Sequence, residues 1–270
     1  MLAIKNNIMA ANAARNLGQS YDALAVSVER LSSGLRINTA KDDAAGLAVR
    51  ELMRADVAVL QQGSRNAEDA ISMLQTTEGA MQTIDDMLLR MKQLAEQAAT
   101  GIYSPAQRTI MDNELDELAS EIERIAGSAE FNGISLLNSA TGTISVVFGD
   151  ATDSITIDMA DMTKSGLGID AINIGTAASA QAALSTLGTA INTANTTRAG
   201  FGAKMNRLEN TVSVLGVQAE NLMGAESRIS DVDVATEMAA LTRNQVLAQA
   251  GIAVLAQANT MPQMALTLLR

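Results

Sequence analysis

The chain has no cysteine, no histidine and no tryptophan, and only 3 Phe and 2 Tyr among 270 residues. Without cysteine there is no disulfide framework, thiolate nucleophile or zinc–thiolate site, and without histidine the commonest general base and metal ligand are gone. Serine–histidine triads and HExxH metal sites are therefore excluded, and no enzymatic, cofactor or metal function is expected. The aromatic shortage leaves the 47% of residues that are hydrophobic to Ala, Leu, Ile, Val and Met, so a core would lack the rings that usually dominate burial. Proline is scarce too. Pro105 and Pro262 both fall near segment ends, and nothing forbids long helices between them. Basic residues are in the minority, 19 Lys+Arg against 30 Asp+Glu for a net charge of −11. That balance argues against a nucleic-acid partner, because phosphate needs a basic face. Residues 1–17 show no apolar h-region and no cleavage pattern, so no cleaved secretory signal is expected.

What is present is a three-four rhythm. Apolar or small residues recur at Ala10, Ala14, Leu17, Tyr21, Leu24, Val28, Leu31 and Leu35, the spacing of a heptad seam. A second run starts near Asp43 and keeps the spacing from Leu60 through Leu74, Met81, Leu88 and Ala95 to Ala98. At 1.5 Å per residue, Ala44 to Ala99 spans roughly 80 Å. Ser104, Pro105 and Gln107 supply an N-cap, a proline at N1 and a capping-box glutamine. The seam continues at Met111, Leu115, Leu118, Ile122 and Ile125, and the short break before Ser104 predicts an antiparallel return. Phe131-Asn132-Gly133 reads as a turn, and Thr143–Phe148 faces Ser154–Met159 across residues 149–153, which predicts a β-hairpin. Residues 160–180 have weak periodicity and predict an irregular loop. The helix period returns from Leu184 to Leu222, interrupted only by Arg198. Ser230, Asp231 and Asp233 mark the start of a last helix running toward Thr260.

Several isolated signals carry no chemistry. Gly166 to Ala171 fits the GxGxxA dinucleotide pattern but lies in no βαβ unit, so a flexible turn is expected. The acid pairs Asp42–Asp43, Asp85–Asp86 and Asp231–Asp233 read as caps and solvated surface. Asn195-Thr196-Thr197 matches a glycosylation acceptor but sits within a helix pattern. Met81, Met91, Met111 and Met205 occupy seam positions and read as core. Beyond Glu237 the only charges are Arg243 and Arg270, yet the interspersed Gln and Asn residues argue against membrane insertion. Both chain ends carry an apolar stripe with no neighbouring helix in sequence to cover it. The expectation is that they pair with each other and leave apolar surface for other copies or a partner.

Residues 30–46, RLSSGLRINTAKDDAAG, closely resemble bacterial flagellin, the subunit of the flagellar filament. The resemblance extends through EIERI at 121–125 and FNG at 131–133, and resumes in ESRISDVDVATEM at 226–238 and QAN at 257–259. It covers roughly residues 1–138 and 190–270, the same division that the heptads suggest. The implied fold is mainly α with a small β-hairpin: long antiparallel heptad helices forming a rod, with terminal helices pairing as a coiled coil. The implied division is a core helix and spoke at 1–43, rod helices with the hairpin and a short variable segment at 44–180, a C-terminal rod helix at 181–230 and a C-terminal core helix at 231–270.

In that family the terminal helices line the filament core, are disordered in the free monomer and order on polymerisation. The resemblance implies this for residues 1–35 and 232–270. The self-assembly seam would comprise Leu17, Tyr21, Leu24, Val28, Leu31, Met238, Leu241, Ile252 and Leu255. Implied partners are further copies of the chain in a helical filament, a flagellar export chaperone, hook-associated junction and cap proteins, and the vertebrate receptor TLR5. The implied location is the extracellular flagellar filament, reached without a cleaved signal peptide. Receptor recognition in the family uses an Arg, a Leu and a Glu on the first two rod helices, which Arg90, Leu94 and Glu114 match, while Leu89 stands where such members often have Gln. Two alternatives remain: a hook–filament junction protein, and a discrete coiled-coil adaptor.

Overall fold

A computed structural model describes residues 6–139, 141–149 and 153–268. The helices are α1 (Ile8–Ser33), α2 (Ala44–Ala99), α3 (Pro105–Ser128), α4 (Ala177–Ser230) and α5 (Val234–Leu268). The strands are β1 (Glu130–Phe131), β2 (Ile134–Ser135), β3 (Thr143–Val147) and β4 (Ser154–Asp158). The chain divides into two compact units, one of residues up to Val57 together with those from Glu220 onward, the other of Ala58–Ala219.

In the second unit the heptad expectation for α2 holds throughout, since its seam positions from Leu60 to Ala98 are buried or half-buried. Thr77, the one hydroxyl in that seam, donates back to the Met73 carbonyl at 2.9 Å and so enters the core satisfied. At the start of α3 the capping box closes as expected, with Ser104 N–H donating to the Gln107 side chain at 2.9 Å. The Arg108 guanidinium reaches back to the carbonyls of Ala98 and Thr100 at 2.9 and 2.7 Å. It satisfies acceptors that the end of α2 leaves open and folds α3 antiparallel against it.

The Asn132-Gly133 turn has φ of 53° and 77°, the left-handed pair that a two-residue type I′ connection needs. β3 and β4 pair antiparallel with Ile144 opposite Ile157 and Val146 opposite Ile155, so one face of the hairpin is apolar and enters the core with Phe148. Two side chains tie the hairpin to helices. Asn66 donates to the Val147 carbonyl at 2.9 Å and Lys204 to the Thr156 carbonyl at 2.7 Å. Residues 160–176 form no helix beyond single turns, as the weak periodicity predicts, but they are core rather than free loop. Met162, Leu167, Ile169 and Ile174 are buried, while Asp112 accepts from Ile174 N–H at 2.7 Å and Glu123 from Lys164 N–H at 3.0 Å. The GxGxxA segment lies here as a turn, with Gly168 at φ 70°. α4 begins at Ala177, inside the stretch expected to be loop.

In the first unit α1 ends at Gly34, whose φ of 73° and N–H bond to the Arg30 carbonyl at 2.9 Å make an αL cap. The chain then bridges to the start of α5. Arg36 N–H donates to the Ser230 carbonyl at 2.6 Å and Val232 N–H to the Gly34 carbonyl at 3.0 Å. Asp42 closes the following turn, and the N–H and hydroxyl of Thr39 hold its carboxyl below the usual carboxylate range. The buried Arg50 guanidinium donates to the Ile37 carbonyl at 2.8 Å. Asp233 caps α5, accepting from the Thr236 hydroxyl at 2.6 Å and the Ala235 N–H at 3.0 Å, which lowers its pKa. The last helix runs past its expected end near Thr260 to Leu268 and continues through Pro262.

Gly63 shows how closely hairpin and helix meet: a β-carbon there would land on the Phe148 carbonyl oxygen. Gly63→Ala is expected to destabilise the fold by about 1–3 kcal/mol, the usual cost of overpacking. Thermal unfolding by circular dichroism reads this, and an unchanged midpoint would remove the contact from the account.

Candidate functional site

α1 and α5 pair along their length, with Cα atoms of the two helices within 8 Å of each other. The order of contacts makes the pair antiparallel. Asn7 donates to the Ala258 carbonyl at 2.7 Å near one end, Leu17 lies against Gly251, and Arg30 meets Glu237 at 3.7 Å near the other. The covered positions on α1 are Ala10, Ala13, Leu17, Ser20, Leu24, Ser27 and Leu31, and those on α5 are Glu237, Leu241, Asn244, Ala248, Gly251, Leu255 and Ala258. Both sets alternate steps of three and four, so both are complete heptad seams. Small residues, Ser20 and Ser27 on α1 and Ala248, Gly251 and Ala258 on α5, lie among the leucines and let the backbones approach. A β-carbon added to Gly251 would stand only 3.1 Å from a Leu17 methyl.

This seam differs from the expected one in phase. Leu17, Leu24, Leu31, Leu241 and Leu255 are half-buried between the helices. Tyr21, Val28, Met238 and Ile252 are not: they are 48%, 49%, 46% and 50% exposed. α1 turns the small side chains of Ser20 and Ser27 toward α5, and the larger neighbours one residue on are left outside. These four lie one position past a seam residue on each helix, the e position of the heptad. In an antiparallel pair the e positions of both helices fall on one side. The displaced residues thus form a single apolar flank. Val246, Leu247 and Val254 add further exposed apolar surface on α5, a helix whose apolar side chains are spread around its circumference yet which packs on one side.

The expected receptor residues separate. Arg90 and Glu114 come together on the surface, joined by two hydrogen bonds at 2.9 and 2.6 Å. Leu94 turns inward and is 2% exposed: α2 carries it in the core layer between Met91 and Ala95, so it is no surface contact, and the exposed leucine nearby is Leu89. One polar constellation escaped the sequence reading. Arg198, taken as an interruption of the α4 seam, donates to Glu78 at 3.0 and 2.6 Å and to Asp85 at 3.1 Å. Its hydrogen bonds to Glu78 raise its pKa further. Asp85 is therefore paired across helices rather than plain solvated surface. The signal that could have found it is the seven-residue spacing of Glu78 and Asp85, which puts both acids on one face of α2.

Among the described residues no group of three or more acidic, His or Cys side chains is placed to hold a metal ion, and no helix is long and apolar enough to cross a membrane.

Leu94→Ala is expected to cost about 2–5 kcal/mol of stability as a core cavity, whereas Arg90→Ala, which removes an exposed ion pair, should stay within about 1 kcal/mol. Chemical denaturation of both variants tests the assignment, and equal losses would contradict it.

Comparison with known proteins gives one answer at both ends of the chain. The bacterial flagellin N-terminal helical region matches residues 4–141 and the bacterial flagellin C-terminal helical region matches residues 184–269. A flagellar filament 33 kDa core protein from Treponema phagedenis is 42% identical over 99% of both chains. Flagellins from Halalkalibacterium halodurans and Bacillus subtilis are 40% and 38% identical, again over 99% of both chains. Among solved structures, the crystal structure of Bacillus cereus flagellin is similar with a TM-score of 0.52 at 36% identity, over 60% of this chain and 94% of that one.

Proposed function

This chain belongs to the bacterial flagellin family, and we propose that it acts as a flagellar filament subunit whose copies join through the apolar flank of the α1–α5 pair. The observation that carries this reading is the line of Tyr21, Val28, Met238 and Ile252, exposed on one side of a pair that is otherwise complete. Each is already about half covered, so covering the rest contributes roughly 0.7–1.5 kcal/mol, half of the full-burial value. An isologous contact would stop at two copies, whereas a heterologous one that fails to close propagates as a helix. The remaining apolar circumference of α5 suits it to more than one neighbour.

The same surplus supports the finer parts of the reading. Before assembly α5 needs a cover, which an export chaperone would supply, and at the ends of a filament the junction and cap proteins would meet the same flank. In this reading the filament lies outside the cell. Electron microscopy of the purified chain after addition of ammonium sulfate, which strengthens apolar burial, tests the whole. Long uniform filaments are expected. Persistent monomers would favour a junction protein, and discrete oligomers an adaptor. Leu24→Asp forces a charge into the seam and should abolish filaments while the Ala58–Ala219 unit stays helical. Val28→Asp, on the flank, should abolish them with the α1–α5 pair intact. Normal filaments from either variant would sink the corresponding assignment.

A second reading is recognition by TLR5, favoured by the exposed Arg90–Glu114 pair on neighbouring antiparallel helices. In this reading Leu94 acts from beneath, holding the α2 surface in place. The double variant Arg90→Ala with Glu114→Ala should lower receptor signalling by the monomer at unchanged helicity, and undiminished signalling would remove the receptor from the list of partners.

A further inference from the structure

In a chain without cysteine, methionine is the side chain most open to two-electron oxidation at sulfur. Its exposure here follows the division into units. Met9, Met223, Met238, Met261 and Met264 are exposed, and all belong to the unit that holds α1 and α5. In the Ala58–Ala219 unit Met73, Met81, Met91 and Met162 are buried, and Met87, Met111, Met159 and Met205 are half-buried. Met238 stands on the apolar flank itself, with Val28 and Ile252 as fellow members.

We propose that Met238 is a peroxide-sensitive modification site, and that its conversion to the sulfoxide before assembly keeps the chain out of the filament; this rests on the assembly reading above. The chemistry needs only the thioether and hydrogen peroxide. The peroxide O–O bond breaks, one oxygen forms a bond to sulfur, sulfur loses two electrons, and the other oxygen leaves as water. The product puts a strong acceptor where an apolar group was to be buried, and burying it without a donor is costly. The core methionines of the other unit have no path to the oxidant without unfolding, so damage falls on the ability to assemble before it falls on the fold. Once a neighbour covers the flank, the same sulfur is shielded. The state is reversible, because methionine sulfoxide reductases restore the thioether.

The test treats the monomeric full-length chain with hydrogen peroxide, maps sulfoxides by peptide mass spectrometry and measures assembly by sedimentation. Met238 should oxidise several-fold faster than Met81 and Met91. The critical concentration of the treated chain should rise about tenfold, as expected for losing the burial of one such side chain, and reductase treatment should reverse the rise. Met238→Leu, which keeps volume but cannot be oxidised, should assemble and lose much less on treatment, while untreated Met238→Gln should behave like the oxidised chain. Equal oxidation of Met81, or equal loss of assembly by Met238→Leu and the parent, would overturn the proposal. The untreated parent separates the two readings. If it forms no filaments, the assembly reading has failed and the gate with it; if it forms them and treatment changes nothing, only the gate has failed.

Discussion

The constraint on which the molecule turns is the shortage of cover for α5. Between Val234 and Leu268 its only charged residues are Glu237 and Arg243, and such a helix is at home only where protein surrounds it. The chain supplies one partner, α1, and spends its smallest side chains on that contact: Ala13, Ser20 and Ser27 from one helix, Ala248, Gly251 and Ala258 from the other. That choice brings the backbones close but leaves Tyr21 and Val28 of α1 outside. A tight intramolecular pair and a bare apolar flank are thus two results of one choice of phase. The second unit is the opposite case, because α2, α3, α4, the hairpin and residues 160–176 cover one another and bury a continuous core.

The contrast explains what could be read in advance. On α2 the run of seam positions from Leu60 to Ala98 is long enough for the period to fix the phase as well, although Met73 and Leu94 beside it are buried too. On α1 the apolar stripe is wider than one partner needs. Periodicity then fixes that a seam exists without fixing which edge of the stripe is covered, and a reading that prefers large side chains selects Tyr21 and Val28 over Ser20 and Ser27. For Leu94, a match to a family motif names the residue type at a position but not whether that side chain is wet. The ion pairs of Arg198 and the burial of residues 160–176 are not legible in the sequence, because a long-range partner leaves no local trace. Arg198 lies 120 residues from Glu78, and the Ile174 N–H is satisfied by Asp112, 62 residues away.

Charge is divided as unevenly as the exposure of methionine. The residues up to Val57 and from Glu220 onward carry 10 Lys+Arg against 11 Asp+Glu, while Ala58–Ala219 carries 9 against 19. Nearly all of the net charge of −11 therefore belongs to the unit whose core is closed. Net charge keeps a protein dispersed but opposes the approach of like copies. The unit that carries the apolar flank is almost neutral, so repulsion between like copies is weak within that unit.

The bond from Asn7 to the Ala258 carbonyl joins residues 251 apart in sequence. Local elements such as the α2–α3 return or the β3–β4 hairpin can form as soon as their own few residues exist, whereas the α1–α5 pair waits for nearly the last residue of the chain. A chain broken off between α4 and α5 keeps the other helices and the closed core but has α1 bare on the side where Gly251 and Ala248 should lie. It then has no two-helix flank to offer a neighbour. The pairing of the two ends is in effect a check on completeness, made by geometry, that separates whole chains from fragments before either is built into anything larger.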